Sequence, residues 1–433
     1  MKKRILPIIF LFFSLPIWAD YAVKGGSGLP LKAEDTPTIM EVYLLNGLQG
    51  AEISFESSDV ATHQWYRYSE NANNAEPITS TQVGNRSYIT DVREGYGYFV
   101  GSTTSPSTRY VWIIDYSKYV PVFISLIPQE EEDKCESLQL ITDMEAEALR
   151  YYTATGVPLE VQRIFHLQYR TMTWEKDALM YVVENINQEV RGVVADIVID
   201  APLIDTDFTL VGDQFAEHFG VTKTIKSNEY QAIAVKPQVI IERKGEIFEE
   251  GEETGLGGSA PIDIKFTAYS NEPVTAFYVW YISKIDENSG EATPITRFPD
   301  KVLNYTFAEE GKFEVKLEVF DRTQVCVDDT SNVYNIDIAK TFLFVPNAFS
   351  PGSSIGVNDV FKVSYRSITN FKASIFNRWG NLLYQWTDPD LGWDGRVHGK
   401  FVPTGAYYYV IEYKGADGKK HTKSGDVNIL RAK

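Results

Sequence analysis

Apolar and polar residues alternate in short runs along most of the chain. Phe313, Val315, Leu317 and Val319 alternate with Glu314, Lys316 and Glu318, and Phe165, Leu167 and Tyr169 with His166, Gln168 and Arg170. Tyr407, Tyr409, Ile411 and Tyr413 share one face of another run. Successive side chains of a strand point to opposite faces, so a period of two means one buried face and one wet face. Gly, Pro, Asn and Asp punctuate the runs, which predicts antiparallel strands at regular spacing. Helical patterning is sparse. Asp143 to Tyr152 suits a helix by composition, although its neighbours read as strands, and Asp213 to Phe219 predicts a helical turn or two. The fold class expected is all-β, a series of sandwiches.

The first residues break this pattern. Lys2, Lys3 and Arg4 precede an apolar run from Ile5 to about Trp18, and Ala19 is a small residue suited to a cleavage position. This reads as a cleaved export signal over 1–19. The run falls short of the ~18 or more apolar residues that spanning requires. A length of 433 residues exceeds one core and predicts several domains. Composition shifts place boundaries at the acidic run Gln129 to Lys134, at the Glu- and Gly-rich stretch Gly245 to Ser259, and near Ala339 to Thr341. The expected pieces are 20–128, 129–240, 241–340 and 341–433, the glycine-rich Gly255 to Ser259 being read as linker.

Two pieces share a further pattern. Trp65 sits in a strand-like run, followed by Asp91-Val92-Arg93-Glu94-Gly95-Tyr96-Gly97-Tyr98; Trp280 is followed by Tyr305-Thr306-Phe307-Ala308-Glu309-Glu310-Gly311-Lys312-Phe313. A buried Trp on one strand and a Gly-aromatic corner entering a later strand are how immunoglobulin-like sandwiches build their core. The fold expected is therefore tandem immunoglobulin-like β-sandwiches ending in a small C-terminal β-sandwich. The piece 241–340 resembles a PKD-type domain, with Phe313 where such domains usually carry Tyr, and 129–240 reads as another sandwich.

The end of the chain carries the most specific motifs. They are Val345-Pro346-Asn347-Ala348-Phe349-Ser350-Pro351, then Gly356-Val357-Asn358-Asp359-Val360-Phe361, then Ile375-Phe376-Asn377-Arg378-Trp379-Gly380-Asn381, then Gly392-Trp393-Asp394-Gly395, then Val402-Pro403-Thr404-Gly405-Ala406-Tyr407. In this order they resemble the gliding-motility-associated C-terminal domain, the type B sorting domain of the type IX secretion system. The resemblance implies that a translocon reads the folded domain and passes the chain across the outer membrane. The family loop usually carries an additional Asn-Gly-Asp where this chain has Gly352-Ser353-Ser354-Ile355, so a hard-cation site there would lose an oxygen ligand. No metal is expected; Asn358 and Asp359 are read as turn formers. Trp379-Gly380-Asn381 and Asp417-Gly418 read as tight turns, Trp393 as packed under a turn, and Trp379, Gly380 and Gly395 as structural members of the sandwich.

Composition narrows the function. The formal net charge is -18, and near -21 once the three positive residues of the signal are removed. That acidity disfavours nucleic acid, whose phosphates need Lys and Arg. The two cysteines, Cys135 and Cys326, either staple two domains or stay separate thiols; export permits the bond. The histidines His63, His166, His218, His398 and His421 form no zinc pattern, and His166 is expected on a solvated face. No phosphate loop or nucleophile elbow occurs. Tyr66, Tyr68, Tyr96 and Tyr98 offer either an aromatic platform or sheet packing, and packing is preferred. No catalytic residue, cofactor or enzyme activity is expected. The chain reads as an exported cell-surface or secreted protein with a stalk, adhesion or binding role, whose partners are the translocon and a surface protein or glycan. The rival readings are a carbohydrate-binding or carbohydrate-degrading protein and an accessory part of the secretion machinery. In a host without that machinery the product would stay in the periplasm.

Overall fold

A computed structural model of the chain describes residues 20–35, 40–58, 60–102, 109–130, 133–243, 246–248, 255–329, 332–352 and 356–430. The expected signal over 1–19 and the acidic residues 249–254 lie outside this range. Strands build nearly everything, and the α-helix among the described residues is Gln214–His218, within the predicted helical turn. Asp143 to Tyr152 is not helical. It is split between strands Ser137–Glu145 and Leu149–Tyr152. Leu138, Leu140 and Thr142 alternate into a core, and pairing with Val122–Gln129 on one side and Asp196–Asp200 on the other outweighs local composition.

The N-terminal unit is a sandwich of two sheets. One holds Asp20–Lys24, Glu52–Glu56, Arg86–Ile89 and Thr81–Val83; the other holds six strands, with Met40–Leu45 and Tyr110–Asp115 pairing in parallel at its centre. Trp65 lies fully buried between the sheets and donates its indole N–H to Ser87 Oγ at 2.8 Å. The Gly-aromatic corner forms as expected. The Tyr98 hydroxyl accepts the Arg93 N–H at 2.6 Å and donates to the Arg93 carbonyl at 3.2 Å. Tyr68 and Tyr98 are buried and Tyr66 and Tyr96 half-buried, so this aromatic cluster packs the sheet.

The second unit places Val122–Gln129, Ser137–Glu145 and Asp196–Asp200 in one sheet, and Met180–Arg191, Ile164–Glu175, Thr209–Val211 and Thr224–Lys226 in the other. His166 is half-buried with Nδ1 shielded from solvent, rather than exposed, because Val211 pairs beside it. The third unit packs its two sheets around Trp280, Phe266, Phe307 and Phe313. Gly255 to Ser259 is not free linker there. Leu256 is fully buried, the Gly258 N–H donates to the Asp337 carbonyl at 2.9 Å, and a Cβ on Gly257 would sit 1.9 Å from that carbonyl oxygen. The strap packs because it pairs with Val333–Ile338 through Ile338.

Each unit is joined to the next by a different device. Outer-face residues of the six-stranded sheet, among them Met40, Val42, Leu44 and Trp112, pack against the hairpin of Leu149–Tyr152 and Pro158–Val161 and against the helix. Both faces of Met40–Leu45 are therefore buried. At the centre of this joint Asp213, fully buried, accepts from Arg163 Nη1 at 2.5 Å, from the Tyr116 hydroxyl and, as helix cap, from the Ala216 N–H at 2.9 Å. Burial, then the Asp213 carboxylate, raise the Tyr116 hydroxyl pKa above its ordinary range.

The second and third units are tied by a disulfide between Cys135 and Cys326, which resolves the two alternatives in favour of a staple. Beside it, buried Asn271 donates to the Leu203 and Ala234 carbonyls at 2.9 and 2.8 Å and accepts the Lys236 N–H at 3.0 Å. The third and fourth units meet at Ser367, fully buried with φ +51°. Its N–H donates to Ser259 Oγ at 2.7 Å, its Oγ accepts the Ala260 N–H at 3.2 Å, and its carbonyl accepts the Ala416 N–H at 2.9 Å.

Candidate functional site

The C-terminal motifs lie on one small sandwich. Its main sheet has the order Ala348–Phe349, Lys420–Ile429, Gly405–Gly415, Ile368–Phe376, Leu382–Trp386. The opening strand runs parallel to the last, the Asn347 carbonyl accepting the Asn428 N–H at 2.9 Å while Pro346 stands half-buried before it. Phe349 then enters the core, with its ring 5.9 Å from Phe361 and 5.6 Å from Trp393.

Trp393 is the centre of this core. It is fully buried, its indole N–H donates to the Arg396 carbonyl at 2.9 Å, and its backbone exchanges hydrogen bonds with Phe361. The turn above it holds because Asp394 Oδ1 accepts the Arg396 N–H at 3.0 Å and Gly395 takes φ +76°. A Cβ at Gly395 would lie 2.8 Å from Pro351 Cγ, so both the backbone angle and the space require glycine. Pro403 supplies a carbonyl to the Tyr407 hydroxyl at 2.9 Å, and Gly405, at φ +139°, opens the penultimate strand.

The loop over 356–361 is held by turn chemistry. Asp359 Oδ2 accepts the Gly356 N–H at 3.1 Å. Asn358 contributes through its backbone, taking φ +56° and presenting its carbonyl to the Ser350 N–H at 2.7 Å. Among the described residues no group of three or more His, Cys, Asp or Glu is placed to hold a metal ion.

The Asn377 turn behaves differently. The Asn377 side-chain oxygen accepts the N–H groups of Trp379 and Asn381, each at 3.0 Å, and its carbonyl accepts the Gly380 N–H at 3.0 Å. Gly380 at φ +83° completes a closed hairpin tip. The Trp379 ring is 72% exposed, with the Arg378 guanidinium 4.3 Å above it. Trp379, expected to be a structural member of the sandwich on a tight turn, sits on that turn but outside the core. The turn lies beyond Ile375, the last core-facing residue of its strand, so no core layer remains for the ring to enter.

At the opposite end, the turn after Gly415 is seated on the third unit. Ala416 joins that unit's core and its carbonyl accepts the Glu310 N–H at 3.1 Å. The Lys419 N–H, then His421, hold the Asp417 carboxyl pKa below the usual carboxylate range. Ser367, which organises this joint, had no sequence signal. A lone Ser before a strand looks like any other.

The fold and these motifs define an all-β, multidomain chain whose C-terminal sandwich is built from a linked set of turns. A family model described as "CHU_C Type IX secretion signal domain" matches residues 343–429, and one described as "Fibronectin type III domain" matches residues 127–227. The first match marks the chain for export to the cell surface or extracellular space and implies an interaction with the secretion machinery. Among curated proteins, none matches this chain. Similar solved structures include the FN1–FN3 domains of chicken CNTN1, at 9% identity over 71% of this chain and 98% of that one with a TM-score of 0.24. Sidekick-1 immunoglobulin domains 1–5 align at 10% identity over 91% and 79% of the two chains, TM-score 0.25. A Ca2+-stabilized adhesin with which an Antarctic bacterium binds ice aligns at 9% identity over 88% and 94%, TM-score 0.19. No helix among the described residues is long and apolar enough to cross a membrane.

Proposed function

We propose that residues 341–433 act as a type B sorting domain, akin to gliding-motility-associated C-terminal domains. In this reading they direct a non-enzymatic surface protein across the outer membrane. The cargo is three immunoglobulin-like units, 20–121, 122–237 and a PKD-like 238–340, the boundaries expected at 129 and 241 moving toward the N-terminus because Val122–Gln129 and Gln238–Arg243 pair with the sheets that follow them. They serve adhesion or ligand binding, and residues 1–19 are the signal that starts export. The observation that carries this reading is the secretion-signal match over 343–429, whose motif residues close one hydrogen-bonded, Trp393-centred fold. The support for a non-enzymatic role is that the aromatic and polar clusters of the three units serve packing and joints.

The test is cell fractionation with surface proteolysis in the native host, comparing the full chain with one ending before Thr341. Surface display of the full chain and periplasmic retention of the shorter one is the expected result; identical placement of both sinks the reading.

A second reading has one observation in its favour. A cavity of about 540 Å³ lies between the second and third units, lined among others by Tyr169, Glu136, Asp200, Lys236 and Asp328. An aromatic face beside carboxylates suits a sugar ring. Polysaccharide pull-down with the full chain and with Tyr169→Ala separates a glycan-binding role from a purely structural one.

A further inference from the structure

The C-terminal sandwich has two ends, and one is occupied. Ser367 bonds to Ser259 and Ala260 of the third unit, and Ala416 lies in that unit's core with its carbonyl accepting the Glu310 N–H at 3.1 Å. From Ser367 the strand Ile368–Phe376 leads away to the Asn377 turn. At about 3.3 Å per residue its nine residues put roughly 30 Å between the joint and the tip. Whatever reads this domain while the rest of the chain is attached meets the tip end unobstructed by the joint.

That end also carries unpaired apolar surface. Phe376 pairs with Leu382 on one side and Tyr408 on the other, so the three side chains form a row on the outward face. Leu382 is 54% and Tyr408 48% exposed, and Trp379, 72% exposed, lies on the turn that joins Ile368–Phe376 to Leu382–Trp386. The turn is rigid, because Asn377 accepts three N–H groups within it. An aromatic on a turn whose backbone is already ordered, with the Arg378 guanidinium 4.3 Å from its ring, loses less freedom on binding than one on a loose loop, which suits an interface anchor.

Charge points to the kind of partner. Residues 341–433 hold twelve Lys and Arg against seven Asp and Glu, a net of +5, whereas residues 1–340 hold 29 against 52, a net of -23. Arg378, at the tip, makes no ion pair among the described residues; its guanidinium rests on the Trp379 ring. A basic module on an acidic chain suits an acidic receptor surface and orients the chain toward it end first.

We infer that the Arg378–Trp379 tip, with the adjoining Leu382–Phe376–Tyr408 row, is the contact surface for a protein of the outer-membrane secretion machinery. That protein presents an apolar pocket rimmed by carboxylates. The inference rests on the sorting reading above and names the side chains that are read.

The experiment uses the full chain in its native host. Trp379→Ala, Arg378→Glu and Trp379→Phe are compared with the wild type and with the chain ending before Thr341, by fractionation and surface proteolysis, and the purified chains are checked for unchanged melting. A hot-spot anchor predicts at least about a tenfold fall in the surface fraction for Trp379→Ala and Arg378→Glu, periplasmic accumulation, and recovery of most export with Trp379→Phe. Normal export of Trp379→Ala and Arg378→Glu, with the truncated chain trapped, overturns the inference and leaves the sorting reading intact. Surface display of the truncated chain overturns both. Should Trp379→Ala lower the melting temperature, Arg378→Glu and Tyr408→Ser, both altering exposed side chains, decide the matter by the same readout.

Discussion

Replacing Asp213 with Ala tests whether the first two units are one folded body. The carboxylate is fully buried and serves three groups from three segments: Arg163, the Tyr116 hydroxyl and the Ala216 N–H. Removing it leaves the Arg163 guanidinium buried with two backbone carbonyls, those of Tyr119 and Glu147, and with its Nε unpartnered. Stranding a buried charge costs about 3–5 kcal/mol, and losing a helix cap about 1 kcal/mol. The two remaining carbonyl bonds offset part of this, so the joint should weaken by about 4 kcal/mol.

Trp112 reports on the event, because it is buried in the same joint with the Tyr152 ring 5.9 Å away. In urea, Asp213→Ala should show an early transition in which the emission of Trp112 shifts to the red, and this step should vanish from the same variant carrying Trp112→Phe. Replacing both charges, Asp213→Ala with Arg163→Met, should recover most of the loss, since no buried charge is then stranded. A single transition with a loss under about 1 kcal/mol would refute the reasoning.

Other outcomes follow from the same geometry. Asn271→Ala strips three hydrogen bonds from backbone groups at the second joint, one buried and two partly buried, and should cost about 2–3 kcal/mol in thermal melts, more after reduction of the Cys135–Cys326 bond. Gly395→Ala should lower the stability of the C-terminal sandwich by about 1–3 kcal/mol, seen as an earlier denaturation step, because a Cβ meets Pro351 and the backbone angle is left-handed. Burial pushes the hydroxyls of Tyr98 and Tyr230 up to about 12 from an ordinary value of 10.0. A raised acid pKa means that the unfolded chain ionises first, so stability is intact below pH 10 and falls progressively as pH climbs toward 12. Melting temperatures from pH 8 to 12 should decline only above about 10, and less steeply in Tyr98→Phe.

The sandwiches were legible because a two-residue period has few alternatives. Phe313, Val315, Leu317 and Val319 face the core as their spacing required. The Trp65 and Tyr98 corner was readable because a tight turn at Gly95, followed three residues later by an aromatic hydroxyl, lets that hydroxyl bond back to Arg93. What the pattern could not carry was contact between units. The strand Met40–Leu45 is apolar apart from Glu41, but nothing local says what covers its second face, because that cover comes from residues more than a hundred positions later. Ser367, Asn271 and the cysteine pair are ordinary polar or thiol residues whose roles arise only when distant segments meet. Trp379 shows the reverse limit. Its motif was recognisable, but whether a turn aromatic points in or out depends on where the core's last layer ends.

The doubly covered sheet also imposes an order on how this protein comes into being. The last strand of the first unit ends at Asp115, but its outer cover is complete only with the helix ending at His218. As the chain is made from its N-terminus, a ready-paired sheet bearing Met40, Val42, Leu44 and Trp112 stands bare for about a hundred further residues. During that interval the nascent protein is sticky in a way the finished one is not. A fragment cut after the first unit, attractive as a minimal module for biochemistry, should therefore precipitate unless residues through 221 are kept with it.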